Sequence, residues 1–173
     1  EFYHIYNRGN SKQKIFLDNH DYDRFVKLLY LCNSDKKINF REDIVRKNID
    51  AWDFDRGESI VFMVAWVLMP NHFHVYITAN PNIQRTVLGE NKISEFMRKL
   101  LTSYSMYFNE KYKRTGALFE GRFKSTHIDN DFYSKYIFSY IHLNPVKLIQ
   151  KDWKENGIKD LKKVLDFLGK YKW

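Results

Sequence analysis

The order of β-rich and helix-periodic segments predicts an α+β fold: an antiparallel sheet of the ferredoxin-like, split βαβ type with helices on one face. Three observations carry this. Segments rich in β-branched and aromatic residues stand at 2–7, 59–69, 72–79 and 123–128. Amphipathic helical patterns fill the gaps after the first and third, at 18–33 and 91–112. Only Pro70-Asn71, a turn signal, separates the second and third β segments, which makes them a hairpin.

Each element has its own signal. "FYHIYN" opens as a strand and runs into the polar, basic loop "RGNSKQK". Asp18 or Asn19 caps the first helix, and Phe25, Leu28, Leu29 and Cys32 recur at helical spacing. Residues 34–58 are polar and mixed and read as a long connection with one short helix around Ile44 to Ile49. "SIVFMVAWVLM" is uninterrupted and apolar; its Val, Ile, Phe and Trp content favours a buried strand over a helix. The helix from Asn91 to Tyr112 buries Ile93, Phe96, Met97, Leu100, Leu101, Tyr104 and Phe108. After the basic loop "KYKRTGALFEGRFKS" and the strand "FKSTHI", a third helix is capped near Asp129 or Asn130 and stopped by Pro145. The tail from Gly157 reads as a last amphipathic helix, its lysines on the polar face.

The 173 residues suffice for one domain with a sizeable core, and 44% hydrophobic content excludes wholesale disorder. A net charge of +8 suits a polyanion, either nucleic acid or an anionic membrane surface. No apolar run approaches the ~20 residues of a membrane span. Cys32 is the one cysteine, which excludes an internal disulfide and a cysteine-rich zinc site and fits a reducing, cytoplasmic setting.

In "MPNHFHVYI", strand alternation points His72, His74 and Tyr76 to one face and Phe73, Val75 and Ile77 to the other, into the core. The two imidazoles stand about 7 Å apart along the strand. At that spacing they can share a metal ion, with room left for a third ligand, water and substrate oxygens; they can equally be ordinary half-exposed sheet histidines. In the third helix Tyr133, Tyr140 and Asn144 share a stripe beside Ile137, while Ser134, Lys135, Ser139 and His142 occupy the opposite arc. A buried Asn144 needs partners, and its carbonyl oxygen is a candidate third ligand, with the Tyr140 phenol one turn away. The bland readings are a packing tyrosine and an Asn-Pro helix terminator. The two basic loops mix Arg and Lys with Gly, and Phe119 and Phe123 add rings able to stack on unpaired bases. The nucleic-acid contacts read from them are Arg8, Lys111, Lys113, Arg114, Phe119, Arg122 and Lys124.

Four stretches taken together, "YHIYNRG", "VLMPNHFHVYI", "RTGALFEGRFKS" and "YIHLNPV", resemble the REP-associated tyrosine transposases. These are single-tyrosine members of the HUH endonuclease and IS200-like superfamily. The resemblance spans roughly residues 3–150 and implies the HUH fold there, with residues 151–173 as a helical tail packed on the same domain. It implies that His72, His74 and Asn144 hold Mg²⁺ or Mn²⁺ and that Tyr140 is the nucleophile. It places Arg8 and Gly9 in a family motif at the end of the first strand, near DNA. It implies cleavage and joining of single-stranded DNA through a 5′-phosphotyrosine intermediate, on hairpin-forming repeated palindromes. With it come a prokaryotic, nucleoid-associated setting, no organic cofactor, and a monomer rather than a dimer. The connection between about Lys36 and Ser59 looks longer than is usual in the family. The rival readings are a non-catalytic single-stranded nucleic-acid-binding module, a replication initiator or relaxase, and a metal-dependent phosphohydrolase; a single candidate tyrosine argues against the second.

Overall fold

The computed structural model describes residues 1–83 and 91–173. Its elements in chain order are β1 (Phe2–Arg8), α1 (Asn19–Cys32), β2 (Val61–Met69), β3 (His72–Ala79), α2 (Lys92–Lys111), β4 (Lys124–Ile128) and α3 (Asp131–Leu143). A 3₁₀ segment over Asn144–Leu148 follows, then α4 (Trp153–Asn156) and α5 (Leu161–Lys170). The sheet runs β2-β3-β1-β4 with every neighbouring pair antiparallel. That is the α+β, split βαβ order expected from the sequence.

The expectation of helices on one face holds for α1 and α2 and fails for α3. Phe73, Val75, Ile77 and Ile5 share one core with Phe25 and Leu28 of α1 and with Phe96, Leu100 and Tyr104 of α2. Ile137 and Ile141 of α3 join a second core on the opposite face, with Val67, Met69, Tyr76 and Ile128. An apolar α3 with nowhere to bury except the uncovered sheet surface must cross that surface.

Strand β2 serves both cores. The register against β3 slips between Met63 and Ala65, which leaves Val64 as an extra residue. A bulge reverses the alternation. Val61 therefore packs into the α1–α2 core, whereas Ala65, Val67 and Met69 pack into the α3 core. This is why the run is apolar throughout and not alternating.

The loop after β1 and the hairpin turn are locked together. Gly9 N–H donates to Asn71 O at 2.8 Å, and Ile15 N–H to Pro70 O at 2.8 Å. A Cβ on Gly9 would lie 2.2 Å from Gln13 O, so only glycine fits this close approach. In the long connection, the short helix expected near Ile44 to Ile49 is a single wide π-helical turn at Arg41–Val45; Ile44 packs with Leu31 and Ala51 in a small core of its own.

Candidate active site

Pairing in the sheet builds the site. In the ladder between β1 and β3, Tyr6 lies opposite His74 and Arg8 opposite His72. Opposed residues share a face. His4, Tyr6, His72 and His74 thus converge on the face that α3 crosses. The His72 and His74 rings are 5.1 Å apart between centroids and nearly perpendicular.

Helix α3 delivers the phenol. Asn130 caps it, its side chain accepting from Tyr133 N–H at 2.8 Å. Its buried line is Ile137 and Ile141, and the Ser134 hydroxyl meets the Tyr76 hydroxyl at 2.7 Å. Ser134, expected on the outer arc, is thus on the inner one, and Tyr133 and Tyr140 flank the buried line. Tyr140 is only half-buried as a result. Its ring stands edge-on to His74 at 5.3 Å and to His4 at 6.2 Å between centroids. Pro145 does not end the helical path: the chain tightens into the 3₁₀ segment, which buries Asn144 to 4% exposure.

Two buried atoms here lack a hydrogen-bond partner: His74 Nε2 and Asn144 Oδ1. Both bear lone pairs when the histidine proton sits on Nδ1. Orphan buried polar atoms are costly, so a ligand that accepts those lone pairs is the natural resolution. Burial lowers all three imidazoles from their ordinary 6.5: His4 to about 4, His72 to about 4 and His74 to about 2. The Lys147 charge helps at His72, where the Asn144 side chain opposes the shift; His72, His4 and Lys154 help at His74. Neutral imidazoles are the form that binds metal. Among the described residues no three His, Cys, Asp or Glu side chains cluster. The donor set these residues could offer a divalent cation is two imidazoles and an amide carbonyl, an open arrangement with positions left free.

His4 escaped sequence reading. Its Nε2 lies 2.9 Å from His74 Nδ1, buried. "YHIYN" carried a signal, since His4 and Tyr6 alternate onto one face, but only the β1–β3 register shows what that face meets.

The basic residues divide. Arg8 sits at the rim beside His72, in a two-pronged ion pair with Glu120. Lys124 is opposite Tyr6 in the β1–β4 ladder and so projects from the site face. Lys113 and Arg122 are exposed in the loop before β4, and the Arg114 guanidinium lies over the Phe108 ring. Two expectations are corrected. Phe119 is buried against Phe73 and Tyr104, leaving no free ring face for a base. Lys111 is held by Asp18 and Asp21, both at 2.8 Å, and is a structural cation.

With this geometry established, comparison with known proteins places the chain. The model of the IS200-like transposase family matches residues 2–144. The chain belongs to the IS200-like transposase family. Among solved structures it is similar to a REP-associated tyrosine transposase bound to a REP hairpin, at 17% identity and a TM-score of 0.51. That alignment covers 84% of this chain and 66% of the other, just under two thirds of its length. A candidate transposase from Deinococcus radiodurans R1 aligns over 82% of this chain and 88% of its own, at 14% identity and a TM-score of 0.43. No curated protein sequence matches. This IS200-like chain thus shares its fold with a hairpin-binding transposase, and its histidines, Tyr140 and Asn144 all fall within the family-matched span. Among the described residues of the transposase chain no helix is long and apolar enough to cross a membrane.

Proposed function

We propose that the chain is a metal-dependent single-stranded DNA endonuclease and strand transferase that works through a 5′-phosphotyrosine on Tyr140. The observation that carries this reading is the meeting of α3 with the sheet. Tyr140 comes from a separate element to stand 5.3 Å, ring to ring, from His74, and Asn144 with its orphan carbonyl follows one turn later.

His72 Nε2, His74 Nε2 and Asn144 Oδ1 would hold Mg²⁺ or Mn²⁺. When bound, the ion would neutralise charge developing on the scissile phosphate. The protein's own groups do the rest. Asn71 Oδ1 accepts from His72 Nδ1 at 2.7 Å, and with the His74 proton on Nδ1 His4 Nε2 accepts from it at 2.9 Å; this arrangement keeps both Nε2 lone pairs free. Tyr140 Oη attacks phosphorus, the new O–P bond forms as the P–O3′ bond breaks, and the phenolic proton passes to solvent. The 3′ oxygen leaves and gains a proton. The phosphotyrosine conserves the energy of the broken bond, so a second 3′-OH can reverse the step and join strands. A half-buried phenol on a sheet face is reachable by an exposed phosphate, which favours single-stranded or hairpin DNA as partner. The hairpin held by the structurally similar transposase supports the same choice.

The test is incubation with labelled hairpin-forming and single-stranded oligonucleotides plus Mn²⁺, read on a denaturing gel. A covalent protein–DNA band is expected from the wild type and none from Tyr140→Phe. His72→Ala should bind the DNA without cutting it. Binding with no adduct under any metal would instead make this a nucleic-acid-binding module.

A further inference from the structure

The family match ends at residue 144, yet a residue of the tail reaches the centre of the site. Lys154, on α4, places its Nζ 4.0 Å from the centroid of the Tyr140 ring. A cation held over an aromatic face attracts it electrostatically and fixes its orientation. That ring also packs against the α3 core, and its aromatic neighbours are the edge-on imidazoles of His74 and His4 and the parallel ring of Tyr136, centroids 6.1 Å apart. Lys154 is the one charged group touching it among these.

The backbone that carries Lys154 is fixed at both ends. Asp152 accepts from Asn156 Nδ2 at 2.9 Å and from Lys159 Nζ at 2.6 Å. The Gln150 side chain donates to Gly157 O at 2.7 Å and accepts from Lys159 N–H at 3.1 Å. Farther on, Tyr171 Oη donates to Leu68 O at 2.6 Å and Trp173 O accepts from Leu68 N–H, which ties the end of the tail to the edge strand β2. Lys154 forms no salt bridge with a described acidic residue, and its charge is felt at His74. It is an exposed lysine spent on a ring rather than on a carboxylate.

We propose that Lys154 is a positioning residue for DNA cleavage: the tail holds the Tyr140 ring against the histidines, so that Oη faces the phosphorus it attacks. The tail thereby completes the active site. This rests on Tyr140 being the nucleophile. The step served is the one above: Oη–P forms, P–O3′ breaks, the phenolic proton goes to solvent and the 3′ oxygen is protonated.

Two readouts on the full chain test it. The first is the single-turnover rate of adduct formation with a labelled random-sequence single strand and Mn²⁺, beside the Kd for the same DNA. Lys154→Ala and Lys154→Gln should each slow the adduct by about tenfold or more with Kd almost unchanged, because orientation and not binding is impaired. Lys154→Arg, which keeps a cation for the ring, should recover most of the rate. The second is the ¹⁹F resonance of 3-fluorotyrosine placed at position 140. It should shift and broaden in Lys154→Ala and return in Lys154→Arg. An adduct rate in Lys154→Ala equal to wild type, or a fluorine signal indifferent to the substitution, overturns the proposal. Failure of the nucleophile reading looks different: wild-type chain binds the DNA but never forms the adduct, even though the fluorine signal still responds to Lys154. That result removes the cleavage role as well.

Discussion

At the scale of single residues, the position of a few protons decides what the site can bind. Asn71 Nδ2 donates to Lys12 O at 3.3 Å, which orients the amide so that Oδ1 faces His72 Nδ1. An amide oxygen only accepts, so the His72 proton is on Nδ1 and its Nε2 carries a lone pair. At His74 the corresponding tautomer has His4 Nε2 accepting from Nδ1. In that tautomer the buried, unpartnered His74 Nε2 presents a lone pair to a cation, whereas a proton on Nε2 would block it. Replacing His4 with Ala should therefore weaken Mn²⁺ binding by about 10–100-fold in DNA-free protein, the usual cost of removing such a supporting group, as titration calorimetry would read. With two nitrogen donors the site should also prefer Mn²⁺ to Mg²⁺. Acid exposes the same chemistry. His4, His72 and His74 are all held below 6.5, so the unfolded chain takes up protons that the native chain refuses. The stability they permit is complete above about pH 6.5 and is lost as pH falls, through about 4 for His4 and His72 and on toward about 2 for His74. In urea unfolding without metal, the midpoint should fall over this window, and fall less in His74→Gln, which has one fewer such group.

At the scale of elements, α3 works as a lever whose fulcrum is two isoleucines. Ile137 and Ile141 are buried at 2% and 0% exposure, and they set the rotation that leaves Tyr140 at the edge of the contact. Ile141→Ala should cost about 2–5 kcal/mol by the cavity it leaves, and should cut adduct formation beyond what the stability loss explains. Phe132→Ala, on the same helix at 84% exposure, should stay within about 0.5 kcal/mol in the same urea titration. The sequence made α3, its cap region and its companions readable because periodicity and capping are local. Asp18 and Asp21 form the capping box of α1, and Pro70-Asn71 closes the hairpin as expected. What stayed hidden depended on distant partners. The bulge at Val64 leaves no trace in a run that is apolar on both faces. Lys111 looked free because Asp18 and Asp21, its partners, lie about ninety residues away. Phe119 looked like a stacking ring because composition does not show that a short antiparallel bridge to Gly9 turns it inward. His72, His74, Tyr140 and Asn144 were legible as residues and were expected to meet, whereas the side of the sheet on which they meet was not: it needs α3 on the face opposite α1 and α2.

At the scale of the molecule, the +8 charge predicts attraction to any polyanion, and only its placement separates DNA contacts from structural cations. Lys124 projects from the sheet face beside Tyr6, in line with the histidines, and Arg122 is exposed just before it. Lys111 is already neutralised by two carboxylates, one of them, Asp21, fully buried. A cation that pairs with a phosphate releases condensed counterions from the strand, so removing one such cation reduces the salt dependence of binding by about 0.7 in log–log slope for single-stranded DNA. Fluorescence anisotropy with a labelled single strand over a KCl series should therefore divide the lysines. Lys124→Ala should lower the slope by about that amount and weaken binding most at low salt. Lys111→Ala should leave the slope as it is and show its effect in thermal unfolding, because it strands the Asp21 carboxylate in the interior without its cation. An equal drop in slope for the two variants would mean that the +8 charge acts as a diffuse field, with no track of phosphates leading across the sheet to Tyr140.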